Sequence, residues 1–348
     1  MRKKIILIVL LSVLSVCLIL TVVAGIMIKS VLSDIKRVGD ETVMTLSREE
    51  IEAEVDMSDT TPVEVAPAIK SGKDIINILL VGQDRREGEG RQRSDAMIFC
   101  TINKETNVMT MTSFLRDLWV FIPDGERGYN ERLNVAYMIG GFDLLNATLE
   151  YNFGIHADYN FEIDFSGFMT AIDTIGGVEV ELTRAEANYL NRRGNWEVEE
   201  NQGWQLKEGV NLLTGSQALA YSRVRGIDSD FVRTGRQRTV LTALLEKSKT
   251  LGLMDTYSLI SEIAPLLTTD MTDGEIMSLA MDVVPSLSEM ETVSQRIPMD
   301  GQWYDKVTSG GAQVIGMTDA QKAENMKLLE NIMEAEKPEE TEETKQTQ

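Results

Sequence analysis

The sequence predicts an α/β domain carried behind a membrane-spanning segment, and three observations lead there. From residue 75 onward, short apolar runs of strand length alternate with amphipathic helical stripes. Ile5 to Ile28 runs without a charge directly after Arg2, Lys3 and Lys4. Finally, Tyr221 to Arg238 holds five arginines against Asp228 and Asp230, inside a chain whose net charge is −21.

The uncharged run is long enough as a helix to cross a hydrocarbon core of about 30 Å. It lacks the small-residue exit site of a cleaved leader, and Val16 before Cys17 makes a poor lipoprotein box. Residues 1–28 are therefore expected as a short cytoplasmic tail and a transmembrane helix, which places the rest of the chain outside the cell. Residues 29–73 are polar and acidic, with Pro62 and Pro67, and read as a stalk and linker. Residues 336–348 contain no aliphatic or aromatic residue and are expected to be disordered. The folded domain is bounded at 74–335.

At 348 residues and 43% hydrophobic, the chain can bury a full core. Its acidity argues against a nucleic-acid partner, because most of the surface would repel a phosphate backbone. One histidine (His156) and two cysteines (Cys17 and Cys100) leave no material for a Cys/His zinc site, a Cys/His nucleophile pair or a disulfide framework. Carboxylates, arginines and hard metal ions remain for chemistry.

Ile75 to Val81 reads as a buried strand that ends in Gly82-Gln83-Asp84-Arg85-Arg86. Ala96 to Ile102 is a second strand, preceded by Arg93-Ser94-Asp95. Val108 to Ser113 is a third, followed by Leu115-Arg116-Asp117. Charged residues just past buried strands stand where α/β proteins place their sites. Asp84 and Asp95 could share Mg²⁺, which accepts one or two carboxylates. Spacing alone favours reading them as turn formers, or as partners of Arg85 and Arg93.

Helices are expected from Glu131 to Gly140 and from Phe142 to Tyr151. A third carries the stripe Phe165, Phe168, Met169 and Ile172, ended by Gly176-Gly177 before a strand at Val178 to Leu182. Such a stripe is ordinarily core, while 18 methionines leave room for a soft lipid cleft. Thr214 caps the helix that leads into the arginine stretch. Further helices are read near Tyr257 to Leu267, at Asp273 to Val284 with Thr272 as cap, and at Thr318 to Met333. A strand is read at Thr292 to Ile297.

The arginine stretch itself reads as a helix from Ser229, with Asp228 as its N-cap. Its apolar stripe at Val240, Leu241, Leu244 and Leu245 continues backward, at steps of three and four, to Gln237, Arg236 and Arg233. One inward face thus changes from apolar to guanidinium and amide, which suits a polyanion. Arg238 falls off that stripe and is expected as an ordinary surface charge.

Together LLVGQDRR, RSDAMI, the SFLRD run, RLNVAYMIGG, DFSGFMTAIDTIGGVEV, LTGSQALAYSRVR and the run from Asp230 to Gln237 resemble the LytR-CpsA-Psr family of cell-wall ligases. The likeness extends from about Ile75 through Arg238, with a weaker echo to about Met333. It implies a central mixed β-sheet flanked by helices and an apolar channel for a polyprenyl chain. It also implies transfer of a pyrophosphate-linked glycopolymer, such as teichoic acid or capsule, onto peptidoglycan. Carried over by motif, Asp84 and Asp95 would be Mg²⁺ ligands. Arg93, Arg116, Arg223, Arg225, Arg233, Arg236 and Gln237 would surround the pyrophosphate, with Arg132 standing where the family commonly has lysine. Leu115 replaces a common proline. His156 lies outside the motifs and is read as a loop residue.

The resulting mechanism is phosphoryl transfer by positioning and charge stabilisation, which needs no histidine or cysteine nucleophile. Asp84 is the expected base and Asp230 the alternative, with Arg116, Arg225 and Arg233 at the reacting phosphorus. Two competing classes are a lipid pyrophosphatase that uses water and a non-catalytic lipid- or glycan-binding envelope protein.

Overall fold

The computed structural model describes residues 25, 27–38, 49, 55, 57–61, 63–83, 91–125, 128–192, 203–224 and 227–334. Asp84, Arg225, the acidic tail and nearly all of the apolar run at 5–28 lie outside these residues. Among the described residues, no helix is long and apolar enough to cross a membrane.

The frame is a seven-stranded mixed sheet in the order β1-β10-β7-β2-β3-β4-β11. Its central strands are β2 (Ile75–Gln83), β3 (Ser94–Asn103) and β4 (Val108–Phe114), paired antiparallel in sequence order. On one side β2 pairs parallel with β7 (Tyr159–Asp164), which pairs antiparallel with β10 (Leu267–Thr269). The edge there is β1 (Lys36–Arg37), parallel to β10. On the other side β4 pairs parallel with β11 (Glu291–Ile297). Gln83 faces Asp164 and Ser94 across its two neighbours, and Phe114 faces Ile297. The ends of β2, β7, β4 and β11 and the beginning of β3 therefore share one edge, the position where open α/β sheets bind ligands.

Alternation along β2 divides its side chains between two layers. Leu79 and Val81 join Met97, Phe99 and Phe114 in the main core beneath helix α1 (Leu133–Phe153). Two helices separated at Gly140-Gly141 were expected here. The structure joins them in one kinked element, with Gly141 at φ 62°. A Cβ at Gly141 would lie 2.8 Å from the Arg91 guanidinium carbon, so glycine is required by space as well as by φ.

The opposite layer begins with α2 (Phe165–Thr174) and α3 (Arg184–Leu190) and continues with α4 (Gly215–Ser222) and α5 (Asp230–Ser248). Asp164, Thr183 and Thr214 cap the first three through their side chains. For α5 the expected cap is wrong. Ser229 occupies the N-cap without a side-chain bond, and Asp228 turns to Arg236 instead. Leu241 of α5 packs on Ile98, Cys100 and Met111 of the sheet. The hairpin of β8 (Val178–Leu182) and β9 (Gly209–Leu213) lies against α5, and α6 (Leu253–Ile263) and α7 (Asp273–Val283) follow.

Two small ribbons flank the sheet: β5 (Trp119–Ile122) with β6 (Tyr129–Arg132), and β12 (Tyr304–Val307) with β13 (Gln313–Gly316). The described chain ends in α8 (Asp319–Glu334).

The segment read as a stalk takes part in the fold. Val31, Leu32 and Ile35 pack with Ala264, and Val55, Ala66 and Ile69 are buried. Gly154, at φ 69°, closes α1 against Pro67, whose carbonyl oxygen would lie 2.0 Å from any Cβ at that position. Contact with the domain thus starts well before residue 74.

Candidate functional site

The shared strand edge opens into two cavities that meet at Asp95. The first, of about 360 Å³, runs between the sheet and the α2, α4 and α5 layer. Leu80, Ile98, Phe161, Ile163, Phe165, Phe168 and Leu241 give it apolar walls, and its polar lining includes Asp95, Ser222, Arg223, Arg233 and Gln237. The second, of about 430 Å³, is open and polar, lined by Gln92, Arg93, Asp95, Arg116, Asp117, Arg132 and Asn134. Phe165 and Phe168, the front of the stripe read as core, are cavity wall, while Ala171 and Ile172 behind them are buried.

Among the described residues Arg233 is the largest fully buried side chain, at 1% exposure. Carrying a guanidinium to that depth requires anionic or hydrogen-bonding company, and helical phase turns it with Gln237, one turn on, into the cavity wall. Arg223, at the end of α4, lies with its guanidinium carbon 4.7 Å from the Phe165 ring centre. In the open cavity Arg116 Nη1 donates to Asp95 Oδ1 at 2.8 Å. Asp117 sits between two cations, 3.5 Å from Arg116 Nε and 3.5 Å from Arg132 Nε. Sequence reasoning did not select Asp117, although it adjoins Arg116 in the same run. It also did not select Asn134, which is buried beside Asp117 in the cavity wall.

Arg236 departs from the expectation. It is inward-facing and 3% exposed, yet it does not line either cavity. Its Nε donates to Glu186 Oε1 at 2.7 Å, and its Nη1 donates to Asp228 Oδ1 at 3.1 Å and to the Val224 carbonyl at 3.2 Å. Its Nη2 bonds Asp228 Oδ2. Glu186 reaches this arginine because the capping box of α3 fixes it: its other oxygen accepts from the Thr183 amide and hydroxyl. Burial alone would raise the Glu186 carboxyl, but bonds from Arg236 and Thr183 outweigh it and hold the group below the usual carboxylate range. Burial would likewise lower Arg236, and Asp228 and Glu186 reverse that. With its donors committed to Glu186, Asp228 and the Val224 carbonyl, Arg236 braces the turn after α4.

Arg238 is also corrected. It is half-buried against β11, its Nε donating to Ser294 Oγ at 2.7 Å. His156 is an exposed loop residue 3.8 Å from Glu150, as read.

An apolar cavity joined at one carboxylate to an arginine-lined mouth defines a class of protein that binds an amphipathic ligand with an anionic head. The LytR_cpsA_psr family model matches residues 38–328, and the chain belongs to that family. It is 30% identical over 324 residues to the polyisoprenyl-teichoic acid–peptidoglycan teichoic acid transferase TagU of Bacillus mycoides, covering 90% of this chain and 96% of that one. Among solved structures, TagT bound to LIIa-WTA superposes with a TM-score of 0.62 at 26% identity, over 81% of this chain and all of the other. TagT with bound octaprenyl pyrophosphate lipid gives 0.57 at 25% identity, over 79% of this chain and all of the other.

Proposed function

We propose that this protein transfers an anionic glycopolymer from a polyprenyl-pyrophosphate carrier to peptidoglycan on the outer side of the membrane. The observation that carries this reading is the meeting of the two cavities at Asp95: one apolar and about 360 Å³, the other polar and holding Arg93, Arg116 and Arg132. A prenyl tail suits the first and a pyrophosphate the junction. The relatives named for teichoic acid transfer, and the TagT structure with a bound polyprenyl pyrophosphate, support the same ligand.

In this reading Arg223, Arg233 and Gln237 grip the pyrophosphate from the cavity side and Arg93, Arg116 and Arg132 from the mouth, and Arg225 is assigned to the same group by its motif alone. Their charges offset the negative charge that builds on the phosphoryl oxygens, and the apolar wall keeps those interactions strong by excluding water. An acceptor sugar hydroxyl attacks the phosphorus that bears the glycan. A new oxygen–phosphorus bond forms as the bond to the bridging oxygen breaks, polyprenyl monophosphate leaves with that electron pair, and Asp84 takes the hydroxyl proton.

Asp84 and Asp95 would hold Mg²⁺, which would supply further neutralisation of pyrophosphate charge. Asp95 suits this role as a carboxylate at the junction of both cavities, and Mg²⁺ completes its shell with water and substrate phosphate. Among the described residues no cluster of three acidic, His or Cys groups could hold a metal alone.

Purified full-length protein given a polyprenyl-pyrophosphate glycan, Mg²⁺ and peptidoglycan oligomers is expected to form a covalent phosphodiester, seen by mass spectrometry, together with polyprenyl monophosphate. Chelation should abolish both products. Free glycan as the sole glycan product, with acceptor in excess, would replace the ligase by a pyrophosphatase.

Ile5 to Ile28 is the proposed single span, N-terminus inside, as its uncharged length and the preceding basic residues support. Protease added to intact protoplasts should remove the domain. A protected domain would reverse the orientation.

A further inference from the structure

Arg238 and Arg296 are among the arginines outside the site just described, and they share one crevice on the far flank of α5. Arg238 reaches from the helix to Ser294 of β11, and Arg296, two residues along that strand and on the same face, stands beside it. The Arg296 guanidinium carbon lies 4.8 Å from the Phe231 ring centre, and Phe231 stacks on Trp303 with centroids 4.5 Å apart. The carboxylate paired with Arg296 is Asp300, which is 91% exposed. Among the described residues, neither the buried Arg238 Nη1 nor Arg296 Nε makes a hydrogen bond. Burial, together with repulsion from Arg296, pushes the Arg238 guanidinium down to about 10.

Two cations facing each other at partial burial are costly unless an anion comes between them. The chain has 55 acidic residues with which to offset such a pair. Here it places one solvated aspartate, against the two carboxylates that enclose Arg236.

Position decides what the anion belongs to. Arg238 follows Arg233 by five residues, which is about 7.5 Å along the helix axis and about 140° around it. The crevice and the lipid cavity therefore lie on different flanks of one helix. Arg296 precedes Ile297, whose carbonyl accepts the Leu115 amide at 3.0 Å, so the crevice adjoins the loop that presents Arg116 to the open cavity. A polymer whose terminal pyrophosphate is seated at Arg233 and Arg116 can reach the crevice by running past this loop.

We propose that Arg238 and Arg296 form a second anion site that holds a backbone phosphate of the polymer, with Phe231 and Trp303 receiving the adjoining polyol or sugar. This rests on the ligase reading above. It adds a contact that recognises the polymer rather than its lipid. Two guanidinium forks suit the two free oxygens of a phosphodiester.

The test uses full-length protein in detergent, first saturated with polyprenyl pyrophosphate and then titrated with a fluorescent glycerol phosphate oligomer. Arg238→Gln and Arg296→Gln are each expected to weaken oligomer binding about tenfold, the loss of one charge-assisted contact, while lipid pyrophosphate affinity and melting temperature stay at wild-type values. Arg233→Ala, assayed without lipid, should retain oligomer binding. Oligomer affinity that is unchanged in both glutamine variants overturns the site, as does tighter binding of a phosphate-free uronate oligomer. Should the transfer assay fail while oligomer binding still depends on the arginine pair, the ligase reading falls and the anion site stands.

Discussion

Arg233 and Arg236 stand three residues apart on the same face of α5, at 1% and 3% exposure, and they are employed in opposite ways. Arg233 lines a cavity wide enough for a prenyl chain. Arg236 is enclosed by Glu186, Asp228 and the Val224 carbonyl. Helical phase tells that a side chain points inward; the neighbouring elements decide whether it lines a cavity or closes on two carboxylates. Glu186 arrives from a different part of the chain, fifty positions earlier, because a capping box holds it there.

The largest effect that would sharpen this contrast is in stability. Arg236→Ala leaves two acidic groups without their partner, one of them buried, and should cost about 3 to 5 kcal/mol, read as a lower urea midpoint. Wild-type stability in that variant would move Arg236 back among the ligand-binding residues. Next in size is binding. Arg233→Ala should weaken polyprenyl-pyrophosphate affinity by about 1.5 to 3 kcal/mol, measured by calorimetry, with a smaller stability loss than Arg236→Ala. Equal behaviour of the two variants would dissolve the distinction.

The smallest effect is a pH dependence. The Glu186 carboxyl is held below its ordinary 4.5, so its contribution is fully present above that pH and is lost as pH falls through the lower folded value. Glu186→Gln should therefore flatten the decline of stability below pH 4.5. Superimposable pH profiles of the variant and the wild type would remove Glu186 from the account.

Much of the frame was legible because strand and helix periods are local. The β2, β3, β4 and β11 runs, the Thr214 and Thr272 caps and the α8 helix stand within a residue or two of their expected places. The β7 strand was missed although Tyr159–Asp164 alternates apolar with polar residues at the strand period; it lacks the long apolar run by which β2 and β3 stand out. Yet it supplies Phe161 and Ile163 to the cavity. Of the candidate residues, Arg93, Asp95, Arg116, Arg132, Arg223, Arg233 and Gln237 line one or both cavities. Their convergence depends on sheet register, which no local pattern encodes. The Glu186 bond of Arg236 and the Ser294 bond of Arg238 were out of reach for the same reason: those partners lie fifty and fifty-six positions away in sequence.

The entry of the chain into the sheet bears on how far the domain would stand from the proposed membrane span. Residues 27–34 are helical, and Lys36 and Arg37 are already paired to β10, with Arg37 bonded to Asp273 at 2.6 Å. If the proposed span ends at Ile28, Lys36 follows it by eight positions, about 12 Å as helix. With so short a leash the edge strand rides close to the headgroups, two strands from β7, which lines the prenyl cavity. A carrier lipid would then pass from bilayer to protein with little of its tail crossing water, and lengthening this connection should slow capture of the lipid without altering the site that receives it.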